Sequence, residues 1–88
     1  MTYEDVRRTI AEITAEKLEK DVANIPPDAR LREDLGVDSL TAVEIVWEIE
    51  EKFGMELPRE LETSVRTVKD LVDFVAGKVA AGAANAST

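Results

Sequence analysis

Eighty-eight residues with a formal net charge of −8, no cysteine and no histidine describe one small acidic domain with room for a single hydrophobic core. The missing cysteines exclude disulfides, thiolate metal sites and cysteine nucleophiles; the missing histidines remove the usual general base and the commonest metal ligand, which argues against a self-contained serine hydrolase. There is no basic-then-apolar leader and no apolar run near the roughly 20 residues of a membrane span, so a cytoplasmic protein is expected.

In chain order, Tyr3, Val6, Ile10 and Ile13 recur at spacings of three, four and three, which predicts an amphipathic helix over 3–20. Thr2 and Asp5 resemble a capping box, with Asp in place of Glu. Pro26-Pro27 breaks the helical period, and residues 21–38 form an irregular connection. Connections beyond about 12–15 residues are uncommon in compact domains and are usually functional or disordered. Val22, Ile25, Leu31, Leu35 and Val37 are spread along this one, so it is expected to lie pinned on the core, with Gly36 supplying a turn. A second helix is predicted over 39–53, stopped by Gly54. Pro58 opens a short turn or helix over 59–64. Thr67 and Asp70 form a second cap-like pair ahead of a fourth helix, whose buried stripe is Val68, Leu71, Val72, Val75 and Val79, with Phe74 beside it. No segment alternates as a strand would, so the fold class is all-α. Residues 1–80 make the domain, and 81–88, small and polar, read as a flexible C-terminal tail.

The charge is concentrated. Residues 33–62 hold ten acids against Lys52 and Arg59, whereas residues 1–32 hold seven acids against six bases. Such a field repels nucleic acid and anionic membranes and steers basic surfaces toward itself, although plain solubility also favours acidic surfaces.

The second helix has two apolar faces. With Leu40 at zero and about 100° per residue, Ala42, Ile45, Val46, Ile49 and Phe53 fall between about 140° and 240°, an ordinary core stripe. Leu40, Val43 and Trp47 fall between about 300° and 360°, with Glu44 and Glu51 beside them. Two readings stand: an exposed docking strip with a carboxylate rim, or a second strip packed under the 21–38 loop or the 59–64 segment.

Asp38-Ser39 ahead of an apolar helix reads by itself as an N-cap. The long preceding loop and the acidic surroundings favour more than a cap. A phosphodiester on Ser39 would also meet the N–H groups and positive dipole end of a helix, offsetting repulsion from Asp34 and Asp38. A calcium loop through Asp34 and Asp38 lacks the alternating ligands and terminal glutamate.

The stretch Leu31-Arg32-Glu33-Asp34-Leu35-Gly36-Val37-Asp38-Ser39-Leu40-Thr41-Ala42-Val43-Glu44 closely resembles the carrier-site signature of acyl carrier proteins, and the similarity continues through Glu50-Glu51-Lys52-Phe53-Gly54, Leu57-Pro58 and Thr67-Val68. It runs through nearly the whole chain. The resemblance implies a right-hand-wound four-helix bundle of the acyl-carrier type, with a long first loop and a short third helix. It implies that a phosphopantetheinyl transferase moves 4′-phosphopantetheine from coenzyme A onto Ser39, with Asp38 positioning the transfer metal and Leu40 flanking the site. The protein itself then has no catalytic residue and no resident metal. Asp34, Val43, Glu44, Trp47, Glu48 and Glu51 are the expected partner-binding residues, for the transferase, a ketosynthase, an acyltransferase or acyl ligase and other enzymes with basic docking patches. The family more often has methionine or another aliphatic residue where this chain has Trp47.

The implied role is that of a monomeric, freestanding acyl carrier for fatty-acid or polyketide assembly, antibiotic biosynthesis included, in which the acyl chain enters a cleft between the second and fourth helices lined by Val46, Ile49, Val65 and Leu71. A peptidyl or aminoacyl carrier of a nonribosomal pathway and an unmodified helical adaptor using Trp47 are the alternatives. An enzyme is the weakest reading, because no nucleophile–base pair is present.

Overall fold

The computed structural model describes residues 2–58 and 60–86, with the backbone alone at residue 62 and residues 81–86. The described residues are all-helical: α1 is Tyr3–Leu18, α2 Ser39–Phe53, α3 Leu61–Ser64 and α4 Val68–Ala86, with a 3₁₀ turn at Val22–Asn24 between α1 and α2. The one departure is an isolated antiparallel bridge between Arg30 and Thr67.

Local chemistry sets the helix ends. The Thr2 hydroxyl accepts from the Asp5 N–H at 3.2 Å and the Asp5 carboxylate accepts from the Thr2 N–H at 3.1 Å, so the capping box closes with aspartate. α1 stops at Leu18, two residues short of the expected end. Glu19 turns left-handed (φ 56°), and the Lys20 N–H reaches back to the Ala15 carbonyl at 2.9 Å. α2 ends at Gly54 (φ 62°), as its glycine predicts. α3 begins at Leu61 rather than 59, behind Glu60; Arg59 lies outside the described residues.

α4 opens on the Thr67–Asp70 pair, each donating its N–H to the other's side chain at 3.1 Å. Its helix passes the boundary expected at residue 80 and continues to Ala86. Alanine dominates 79–86, and alanine has the highest helix propensity, which outweighs the small, polar look of the segment. Residues 87–88 of the expected tail lie outside the described residues.

α1 packs on both α2 and α4. Val6, Ile10 and Ile13 of α1 meet Ile45 and Ile49 of α2 and Val68, Leu71, Val72 and Val75 of α4 in one core. Ala42, Val46, Phe53, Phe74 and Val79 are only partly buried at its edge. Tyr3, expected on the α1 stripe, is exposed instead. Its hydroxyl donates to Asp73 of α4 at 2.5 Å, a tie that needs solvent-facing geometry.

The long connection is pinned as expected, with one exception. Ile25, Ala29, Leu35 and Val37 are buried and Leu31 packs on the core, whereas Val22 is exposed because the 3₁₀ turn carries it outward. The turn over 30–36 closes at Gly36 (φ 71°), a conformation costly for a side chain. Backbone bonds latch the connection to α4: Leu31 N–H donates to the Arg66 carbonyl, Val68 N–H to Ala29 and Lys69 N–H to Pro27, at 2.8, 3.1 and 2.8 Å. Two otherwise unpaired amides of the α4 N-terminus are satisfied this way.

Candidate functional site

The pinned connection delivers the chain to the start of α2 with Asp38 as the N-cap residue. Its carboxylate accepts from the Thr41 N–H at 2.8 Å, and this backbone bond holds the acid below the usual carboxylate range. Ser39 is therefore the first helical residue and not the cap. Its hydroxyl is spared that duty, and the residue is exposed.

Beyond Ser39, the apolar face of α2 predicted to lie apart from the core is open. Leu40 is 69% and Trp47 65% exposed, and Val43 between them is half-buried. The alternative packing of this strip under the 21–38 loop or α3 is not what forms. Glu44 and Glu51 are exposed beside it.

Two other carboxylates expected at the partner face have partners within the chain. Asp34 accepts from Arg30 through the backbone N–H at 2.8 Å and the guanidinium at 3.1 and 3.2 Å, and the guanidinium keeps its carboxyl below the ordinary range. Glu48 is half-buried and pairs with Lys17 of α1 at 3.4 Å. Arg30–Asp34 closes within one turn of the connection, whereas Lys17–Glu48 depends on how α1 and α2 cross.

On the other side of α2 lies a cavity of about 290 Å³. Val37, Ala42, Val46, Leu61, Val65 and Leu71 are among its apolar lining, and Arg32 and Arg66 among its polar lining. Val46, Val65 and Leu71 are where the expected cleft put them. Ile49 is not: it is fully buried in the core, at nearly the same helical angle as Ala42 and Ile45 but one to two turns farther along α2. The contributions of Leu61 and Arg66 escaped periodicity, since they come from a short helix and a turn.

The sequence of residues 8–75 matches the family model described as the phosphopantetheine attachment site, and that span contains Ser39 and the whole of α2. An acyl carrier protein of Rubrobacter xylanophilus is 45% identical over 75 residues, covering 85% of this chain and 93% of the relative. One of Thermosynechococcus vestitus is 38% identical across 92% of this chain and all of the relative. One of Rickettsia bellii is 38% identical across 82% of this chain and 84% of the relative. With an exposed serine at the head of the capped helix α2 inside the matched span, the chain belongs to the acyl carrier protein family, whose common domain is a phosphopantetheine attachment site.

Proposed function

We propose that this chain carries acyl groups for fatty-acid or polyketide synthesis on 4′-phosphopantetheine attached covalently to Ser39. The carrier domain is residues 1–80, folded as the family's four-helix bundle with a long first loop and a short third helix, and α4 runs on past it to Ala86 within the 81–88 segment. The protein is a shuttle and substrate for synthase enzymes rather than a catalyst. The observation that supports Ser39 most directly is its exposure at the first position of α2, with the capping duty taken by Asp38. When attached, 4′-phosphopantetheine supplies the terminal thiol that this cysteine-free chain lacks, and acyl groups ride on it as thioesters.

The residues around Ser39 fit that attachment. The N–H groups and dipole of the first turn of α2 favour a phosphodiester on the serine oxygen. Asp38, held ionised, is available to orient the metal used by a phosphopantetheinyl transferase. Leu40, Val43 and Trp47 form the apolar part of the partner face, and Asp34, Glu44, Glu48 and Glu51 its charged part. Of these acids, Asp34 and Glu48 reach a partner only by sharing or leaving Arg30 and Lys17. Partners are the transferase and the pathway's synthase enzymes, ketosynthase and acyltransferase among them, met by a monomeric cytoplasmic carrier. The cavity beside α2 holds part of a short acyl chain, and the tether raises the local concentration of that chain at each enzyme visited.

The test is intact-mass measurement after incubation with coenzyme A and a broad-specificity phosphopantetheinyl transferase. A gain of one phosphopantetheinyl group is expected, lost in Ser39→Ala while the far-UV circular dichroism of that variant matches the parent. No gain in the parent, or an undiminished gain in Ser39→Ala, overturns the assignment.

A further inference from the structure

Trp47 is the only tryptophan of the chain, is 65% exposed, and lies between Glu44 and Glu51 at i−3 and i+4 on the same face of α2. Glu44 and Glu51 take part in no ion pair among the described residues, unlike the intervening Glu48, which Lys17 holds. An apolar pocket closing over this indole would strand both carboxylates in a dry interface, which is strongly unfavourable. A lysine would neutralise them, but its ammonium stays strongly hydrated and has no flat surface to offer the ring. A guanidinium does both: it stacks on the indole face, the best aromatic acceptor for a cation, and turns its N–H edge to the carboxylates.

We infer that Trp47 makes this carrier selective for partner proteins that present an arginine, which stacks on the indole and pairs with Glu44 and Glu51. Leu40 and Val43, farther along the same strip, take the apolar rim of that basic surface. The inference rests on α2 being the partner face of a carrier, and its test is separable from the carrier reading.

Because the chain has one tryptophan, growth on 5-fluoro- or 5,7-difluorotryptophan changes position 47 alone, withdrawing charge from the ring while keeping its shape. The probes are two helical peptides of equal charge, one with arginines and one with lysines at the same positions, titrated against full-length protein at low salt. The arginine peptide should bind about two- to five-fold tighter. That margin should shrink stepwise with fluorination and vanish in Trp47→Leu. Equal binding of the two peptides, or a margin indifferent to fluorine, overturns the inference. Intact-mass loading of the same fluorinated samples reports the carrier reading separately: loaded protein without arginine preference sinks only the Trp47 inference, whereas unloaded protein sinks the assignment of Ser39.

Discussion

Thr14 offers a sharp test of how the core is held. It sits on the inner face of α1 with no solvent exposure, and its Oγ1 has no hydrogen-bond partner among the described residues. A buried hydroxyl left unpaired costs about 1–3 kcal/mol. Thr14→Val replaces that oxygen with a methyl group of nearly the same shape, and threonine and valine have similar helix propensities. The substitution should therefore stabilise the fold by about 1–2 kcal/mol, the desolvation cost less some imperfect packing of the new methyl. For a domain of this size each kcal/mol moves Tm by about 4–8 °C. Thr14→Ser keeps the unpaired oxygen and loses a buried methyl, so it should destabilise by about 1 kcal/mol. The two variants move in opposite directions, which separates the hydroxyl from the methyl. Thermal melts followed by far-UV circular dichroism are the assay, because the exposed Trp47 reports poorly on unfolding. A Tm for Thr14→Val equal to or below the parent's would refute the reasoning. Ser39 loading should be unchanged in both variants, since neither substitution alters the Asp38 cap or the exposed Ser39.

Glu19 is the sole non-glycine residue with positive φ among those described, so Glu19→Gly should stabilise by about 1 kcal/mol; a fall in the urea midpoint would contradict it. Asp5, Asp38 and Asp70 are held below the usual carboxylate range, each first of all by backbone N–H donors. Groups whose pKa is depressed on folding contribute stability that is complete above their unfolded value near about pH 4 and is lost as pH falls through the folded value. Stability should therefore be flat from neutrality to about pH 5 and drop below it. Asp38→Asn, which keeps the cap without the charge, should make that drop shallower; an identical acid limb argues against the cap as its source. Glu44→Lys with Glu51→Lys should slow loading by a basic transferase at low salt, and added salt should narrow the gap. Equal rates at low salt would remove the case for steering.

Periodicity located α1, α2 and α4 well because each carries a strong apolar stripe. The two faces of α2 followed from the same geometry, since Leu40 and Trp47 lie too far round the helix from Ile45 and Ile49 to share their core. Boundaries failed where a competing term acted: the left-handed turn at Glu19 shortened α1, and the alanine run lengthened α4. Tyr3 read as core because an aromatic at helical spacing resembles any other apolar residue; only the nearness of Asp73, distant in sequence, shows its role. At the site, the capping role of Asp38 and the exposure of Ser39 and Trp47 were within reach of local rules. The Lys17–Glu48 pair and the α3 lining of the cavity depend on tertiary arrangement, which spacing along one helix does not encode.

The three backbone bonds that fasten 27–31 to 66–69 join stretches far apart along the chain, so they close a large loop and carry its entropy cost. The stretch that presents the acceptor serine thus gains its final shape only once the beginning of α4 exists. A ribosome-bound chain arrested before residue 69 emerges should be a poor acceptor even though Ser39 is already outside the exit tunnel, which makes maturation a late reward for finishing synthesis rather than an event that can run ahead of it.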